Sequence, residues 1–188
     1  MTKAFVFPGQ GSQAVGMLSD SQPEVGPVFK RASDVLGYDL WELTQNGPED
    51  RLNATEFTQP ALLTASYALW LVARNAGLTA DFVAGHSLGE YSALVASEVI
   101  AFEDAVKLVQ TRGQLMQAAV PIGEGGMAAI MGLADDQVAA ICEAVTLEAD
   151  GSVEPANLNA PGQIVISGTK AALETACAQC LDSGAKRA

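Results

Sequence analysis

The stretch Phe82-Val83-Ala84-Gly85-His86-Ser87-Leu88-Gly89 runs directly into Glu90-Tyr91-Ser92-Ala93-Leu94-Val95-Ala96-Ser97. Its first three residues are a short apolar run of strand character, and residues 90–97 suit a helix. Between them stands Gly-x-Ser-x-Gly. A strand that turns at once into a helix around one serine is a nucleophile elbow. The turn is too tight for side chains beside the serine, so glycines flank it. Such a turn lifts the Ser87 hydroxyl above the positive end of the following helix, where an oxyanion can be stabilised. A serine nucleophile also needs a base, and the chain has a single histidine, His86. Neighbours on a sharp turn point apart, so His86 is badly placed to take the Ser87 proton, a task that triad enzymes give to a distant loop.

Upstream, Lys3 to Phe7 reads as a buried strand that ends in the loop Pro8-Gly9-Gln10-Gly11-Ser12-Gln13. Gln59-Pro60 is expected to open a helix, with Pro60 at the permitted first position and Gly77 as the stop. Downstream, Val106, Val109, Gly113, Met116 and Val120 form a helical stripe within a helix from about Phe102 to Val120, closed by Pro121. Strands alternating with helices predict an α/β fold. The loops after strands 3–7 and 82–84 both leave C-terminal strand ends, the edge where open parallel sheets bind ligands.

After Gly123-Glu124-Gly125-Gly126 the texture changes. Strand-like runs at 127–133, 153–157 and 163–167, a turn at Ala160-Pro161-Gly162, and helices capped by Asp135 or Asp136 and by Thr169 give the order β-α-β-β-α. That is the ferredoxin-like plan short of its last strand, which should begin where the sequence stops, at Ala185 to Ala188. The sequence is therefore expected to be incomplete. The expected division is 1–122, part of an α/β-hydrolase-like parallel-sheet subdomain, and 123–188, an inserted ferredoxin-like α+β subdomain.

The formal net charge of −12, with only ten Lys and Arg, argues against a nucleic-acid binder. The run after Met1 is too short for a secretory signal, and the window Ala61 to Ala73 is too short and polar to span a bilayer. A cytoplasmic protein without membrane attachment is expected. Cys177 and Cys180 form a C-x-x-C late in a helical pattern, on one face with Leu173. A redox pair belongs at a helix N-terminus and zinc needs further ligands, so these are expected to be core thiols, with no metal and no bound cofactor.

Three stretches, Phe5 to Gln13, Gly85 to Leu94 and Asn157 to Gly168, together with Thr58-Gln59-Pro60-Ala61-Leu62 and Arg112-Gly113, resemble the malonyl-CoA:acyl-carrier-protein transacylases of bacterial fatty-acid synthesis. The resemblance runs the whole length of the chain, in order. It implies that Ser87 attacks the thioester of malonyl-CoA. The phosphopantetheine thiol of acyl-carrier protein then collects the malonyl group, a ping-pong transfer through one acyl-enzyme. It implies an oxyanion hole from the backbone N–H groups of Gln10 and Leu88, and a carboxylate fork from Arg112. It places Met116 and His86 at the substrate, with Gln59, Asn157 and Asn159 in support. It puts the general base beyond residue 188, so the 188-residue chain is expected to be poorly active, and it implies a monomer when complete. A serine esterase or thioesterase, and a silent module binding coenzyme A or carrier protein, are the competing readings.

Overall fold

A computed structural model describes residues 2–121, 123–148 and 151–188. The chain divides into two compact units, one ending at Ala119 and one running from Val120 to Ala188. Residue 122, where the sequence places the boundary, lies outside the described residues.

In the first unit, β1 (Ala4–Phe7) and β2 (Phe82–Gly85) form a parallel pair in the register Ala4↔Phe82 to Phe7↔Gly85. Helices α1 (Gln22–Leu36), α2 (Leu40–Asn46), α3 (Glu49–Asn53) and α4 (Thr55–Asn75) come between the two strands, and α5 (Leu88–Ala96) and α6 (Phe102–Ala119) follow β2. Residues 14–58 carry no pattern that assigns them from sequence, and α1 to α3 occupy much of that span. In α1 the buried residues Val25, Val28, Phe29 and Ala32 recur at helical spacing, and Gly37 ends the helix in the left-handed region at φ 76°. These side chains meet Leu63, Val106 and Val109 in one core centred on α4, against which α1 and α6 pack.

The start of α4 corrects the expected helix. Pro60 is not its first residue but its sixth. A helix leaves its first four N–H groups without helical partners, so a proline just beyond them removes a single bond, to the carbonyl of Glu56. Thr58 steadies this entry, its hydroxyl lying 2.6 Å from the Leu52 carbonyl and 3.1 Å from that of Ala54. The consequence reaches the site, because Gln59 becomes a fully buried residue inside the helix rather than one at its mouth.

The second unit carries β3 (Gly125–Met131), α7 (Asp135–Glu148), β4 (Val153–Ala160), β5 (Gln163–Thr169) and α8 (Lys170–Asp182). Its sheet is antiparallel in the order β3-β5-β4. β3 begins two residues before the expected strand because Gly125 and Gly126 pair with Thr169 and Gly168. Pro155, which has no N–H to give a ladder, lies on the edge strand β4 beside a register shift. Asp135 is the first residue of α7 rather than its cap; its carboxylate accepts from the Gly162 N–H at 3.1 Å. Thr169 does precede α8, but without a side-chain capping bond. Ile130, Ile164 and Ile166 are fully buried against Val138, Ala172, Ala176 and Cys180. Burial of each isoleucine contributes about 1.5–3 kcal/mol. Cys142 and Cys180 are buried in this core and Cys177 packs against it, and all three thiols are unpaired. Beyond α8, Arg187 makes an antiparallel bridge to Met131 on the free side of β3.

The structure is thus mixed α/β, with one parallel and one antiparallel sheet. Among the described residues no helix is long and apolar enough to cross a membrane.

Candidate active site

Ser87 sits where β2 passes into α5, two residues after the last residue of the strand and one before the helix. Its backbone has φ 51° and ψ −108°, a conformation that costs a non-glycine residue on the order of 1–3 kcal/mol. The surroundings impose it. A Cβ on Gly85 would stand 1.9 Å from the Gly89 carbonyl carbon, and one on Gly89 would stand 2.2 Å from the Phe7 oxygen. The two glycines of Gly-x-Ser-x-Gly therefore touch each other and β1, which presses the start of α5 onto the sheet. The His86 N–H donates to the Phe7 carbonyl at 3.1 Å and ties the turn to β1. Ser87 is exposed while Leu88 beside it is fully buried, so the turn carries the hydroxyl outward and anchors the helix inward.

The hydroxyl faces a cation. Arg112 on α6 donates from Nη2 to Ser87 Oγ at 3.2 Å and from Nη1 to Gln59 Oε1 at 2.7 Å. Its guanidinium carbon also lies 5.6 Å from the ring centre of Tyr91 on α5. Gln59 in turn donates from Nε2 to Thr55 Oγ1 at 2.9 Å and to Met116 Sδ at 3.3 Å. The Thr55 hydroxyl in turn donates to Gln10 Oε1 at 3.1 Å. Five side chains from four separate segments of the first unit thus form one continuous hydrogen-bonded line, Gln10–Thr55–Gln59–Arg112–Ser87.

The helices can approach this closely because of Gly113. A Cβ there would lie 2.6 Å from the Glu56 Cα and 2.7 Å from the Thr55 oxygen. Glycine at 113 lets α6 rest on the first turn of α4, which brings Arg112 to Gln59. The loop carrying Gln10 is held separately, by Gln13 donating to Asn53 at 2.8 Å and accepting from the Gly11 N–H at 2.8 Å. His86 lies on the same side of the loop: a Cβ on Gly9 would come within 2.9 Å of its Nδ1.

Of the residues singled out by sequence, Gln10, Gln59, His86, Ser87, Leu88, Arg112 and Met116 gather here. Asn157 and Asn159 lie on β4 in the second unit, Asn157 opposite Val165 and Asn159 exposed. Thr55 and Tyr91 were missed. The signal for Thr55 was its place four residues before Gln59 on one helix face, invisible while the helix was started at Pro60. Among the described residues no group of three or more His, Cys, Asp or Glu could hold a metal ion.

A serine at a strand–helix turn, faced by an arginine from the next helix, is the frame of an acyl-transfer domain. The model of the acyl transferase domain family matches residues 4–188, and the chain belongs to that family. Within it, the chain is 57% identical over 190 residues to the malonyl CoA-acyl carrier protein transacylase of Salmonella typhimurium, covering 98% of this chain and 60% of that one. A solved complex of a type II PKS acyl-carrier protein with its malonyl-transacylase superposes with a TM-score of 0.95 at 52% identity, over 100% of this chain and 61% of that chain. The crystal structure of FabD from Acinetobacter baumannii gives 0.94 at 53% identity, over 98% and 60%. The chain thus spans about 60% of the length of the relatives it matches.

Proposed function

We propose that this chain carries the nucleophile and substrate-recognition half of a malonyl-CoA:acyl-carrier-protein transacylase of fatty-acid synthesis. The observation that carries the reading is the Arg112 guanidinium at 3.2 Å from the Ser87 hydroxyl. A planar cation with two donor nitrogens suits a carboxylate held beside the reacting carbonyl, and a neutral ester gives it nothing to bind. Ser87 Oγ attacks the thioester carbonyl, its proton passes to a base, and coenzyme A leaves as the thiol. A phosphopantetheine thiol then attacks the acyl-serine, gives up its proton and restores the hydroxyl. The backbone N–H groups of Leu88, at the N-terminus of α5, and of Gln10 form the oxyanion hole, and Met116 and His86 line the acyl pocket. The partners are malonyl-CoA and a carrier protein, and the solved complex of an acyl-carrier protein with its malonyl-transacylase supports the second of these. Coenzyme A enters as substrate, and no resident cofactor or metal is required. A cytoplasmic setting fits the three unpaired thiols.

In the same reading the strand–turn–helix is a nucleophile elbow on an α/β-hydrolase-like sheet. The second unit is a ferredoxin-like insertion whose fourth strand opens at Arg187; the order Arg187-β3-β5-β4 supports this. Asn157 and Asn159 fix backbone within it. His86, the only histidine, is a substrate-side residue and not the base, so acylation by the 188-residue chain is slowed by about 10²–10⁴.

Intact-mass measurement after prolonged incubation with malonyl-CoA tests this. Wild type is expected to gain one malonyl group and Ser87→Ala none. Arg112→Ala is expected to accept acetyl as readily as malonyl. No adduct on wild type would favour a binding module, and a malonyl preference that survives Arg112→Ala would sink the clamp. Turnover equal to that of a complete transacylase would show that a base is present after all.

A further inference from the structure

We propose that Thr55 is a positioning residue that couples the Gln10 loop to the Arg112 guanidinium and thereby sets the preference for carboxylated acyl groups. This rests on the reading of Arg112 as the carboxylate clamp. The Thr55 hydroxyl has one proton, which goes to Gln10 Oε1, and its lone pair accepts from Gln59 Nε2. That arrangement fixes Gln59 completely. Both of its amide protons are engaged, by Thr55 and Met116, and its oxygen receives Arg112 Nη1. Flipping the amide would set NH₂ against the guanidinium, two donors facing each other. Gln59 is fully buried, so it has no water to take the place of a lost partner.

Removing the Thr55 hydroxyl leaves Gln59 Nε2 short of an acceptor. The amide must then turn to find another, which withdraws the oxygen that holds Arg112 Nη1. The change stays local. The Gln10 loop keeps its Gln13–Asn53 tether, and the Thr55 backbone remains wedged under Gly113. The same substitution also releases Gln10 Oε1, so one hydroxyl contacts the Gln10 side chain directly and the cation through Gln59.

Thr55→Val keeps the side-chain shape without the hydroxyl, and Thr55→Ser keeps the hydroxyl. Initial rates of malonyl and acetyl adduct formation on the 188-residue chain are compared by intact mass. Exchange of the Gln59 side-chain amide protons is followed by NMR without any ligand. Thr55→Val is expected to lower the malonyl-over-acetyl preference about tenfold, the size of one hydrogen bond to a charged group, and to speed Gln59 amide exchange. Thr55→Ser is expected to stay within about twofold of wild type on the same scale. An unchanged preference in Thr55→Val overturns the proposal, and so does an equal loss in both variants, which would mark a merely structural role. If wild type forms no malonyl adduct, the clamp reading fails instead. Gln59 exchange then decides on Thr55 alone, with an unchanged rate in Thr55→Val counting against it.

Discussion

The antiparallel sheet of the second unit buries one face under α7 and α8 and turns Glu154, Asn159 and Gln163 toward solvent, whereas the parallel pair β1–β2 turns Ala4, Val6, Phe82 and Ala84 outward. One unit shows the division expected of an antiparallel sheet, apolar inside and mixed outside. The other exposes an apolar face of a kind that parallel sheets ordinarily cover on both sides. In the first unit the sheet is covered on one face only, by Trp70, Ala93 and Ala96, and most of the core lies among α1, α4 and α6. The unit that carries the site therefore depends on helix–helix packing for its stability. Its two strands serve mainly to aim the Ser87 turn.

The largest expected effect strikes that turn. Gly85→Ala sets a Cβ about where the Gly89 carbonyl stands, and neither backbone can yield without moving α5 off β1. We expect a loss of about 3 kcal/mol or more, read by chemical denaturation. Hydrogen exchange should place the loosening in the first unit and leave β3–β5 protected; uniform loosening would break the comparison. Ile166→Ala is the reciprocal change, a fully buried side chain cut back in the second unit. It is expected to cost about 2–5 kcal/mol there while the Ser87 region keeps its protection.

Alkaline titration separates the units more gently. Burial, with Cys142 and Cys177 nearby, pushes the Cys180 thiol from 9.0 up to about 11. Burial pushes the Tyr38 phenol from 10.0 up to about 12, against the pull of Arg51 and with help from Glu56. In both cases the folded state holds its proton more tightly than the unfolded chain. The stability is intact below the unfolded value and is lost as pH rises through the folded one. The second unit should therefore weaken between about pH 9 and 11 and the first between about 10 and 12. Tryptophan emission reports only the first unit, since Trp41 and Trp70 both lie there, and backbone circular dichroism reports both. Loss of tryptophan signal at the lower pH would reverse the order. The smallest effect is expected from Phe82→Ser, at a side chain 66% exposed on the bare sheet face. Stability should change by less than about 0.5 kcal/mol. Binding of a hydrophobic dye should fall, and undiminished binding would place the exposed apolar surface elsewhere.

Local signals carried much of this fold into view. The β2–Ser87–α5 segment was legible because a strand, two glycines and a helical run each leave their own mark within sixteen residues. The β-α-β-β-α order of the second unit was legible for the same reason, since one turn falls on Pro161-Gly162, although the expected strand 127–133 runs past its true end at Met131, where Gly132 turns with φ 83°. What stayed hidden was α1 to α3 and the true start of α4. Proline was read there as an opening because its usual place is the first turn. Residue type alone does not reveal that a helix five residues longer tolerates it, because the bonds from Thr58 to the Leu52 and Ala54 carbonyls exist only once that turn has formed.

The chain alone determined the chemistry on offer: a serine on a glycine-lined turn, an arginine on a helical stripe, and a single histidine next to the serine. Each is a property of residue type and short-range order. Only the tertiary structure decided what those groups do to one another. That Arg112 reaches Ser87 depends on Gly113 admitting the backbone of α4, and that Gln59 holds Arg112 depends on Thr55 one turn earlier on α4, which is itself bonded to Gln10 from a distant loop. Such contacts join residues 25 to 53 positions apart. Their energies come from burial and directed hydrogen bonds that exist only once the chain has folded.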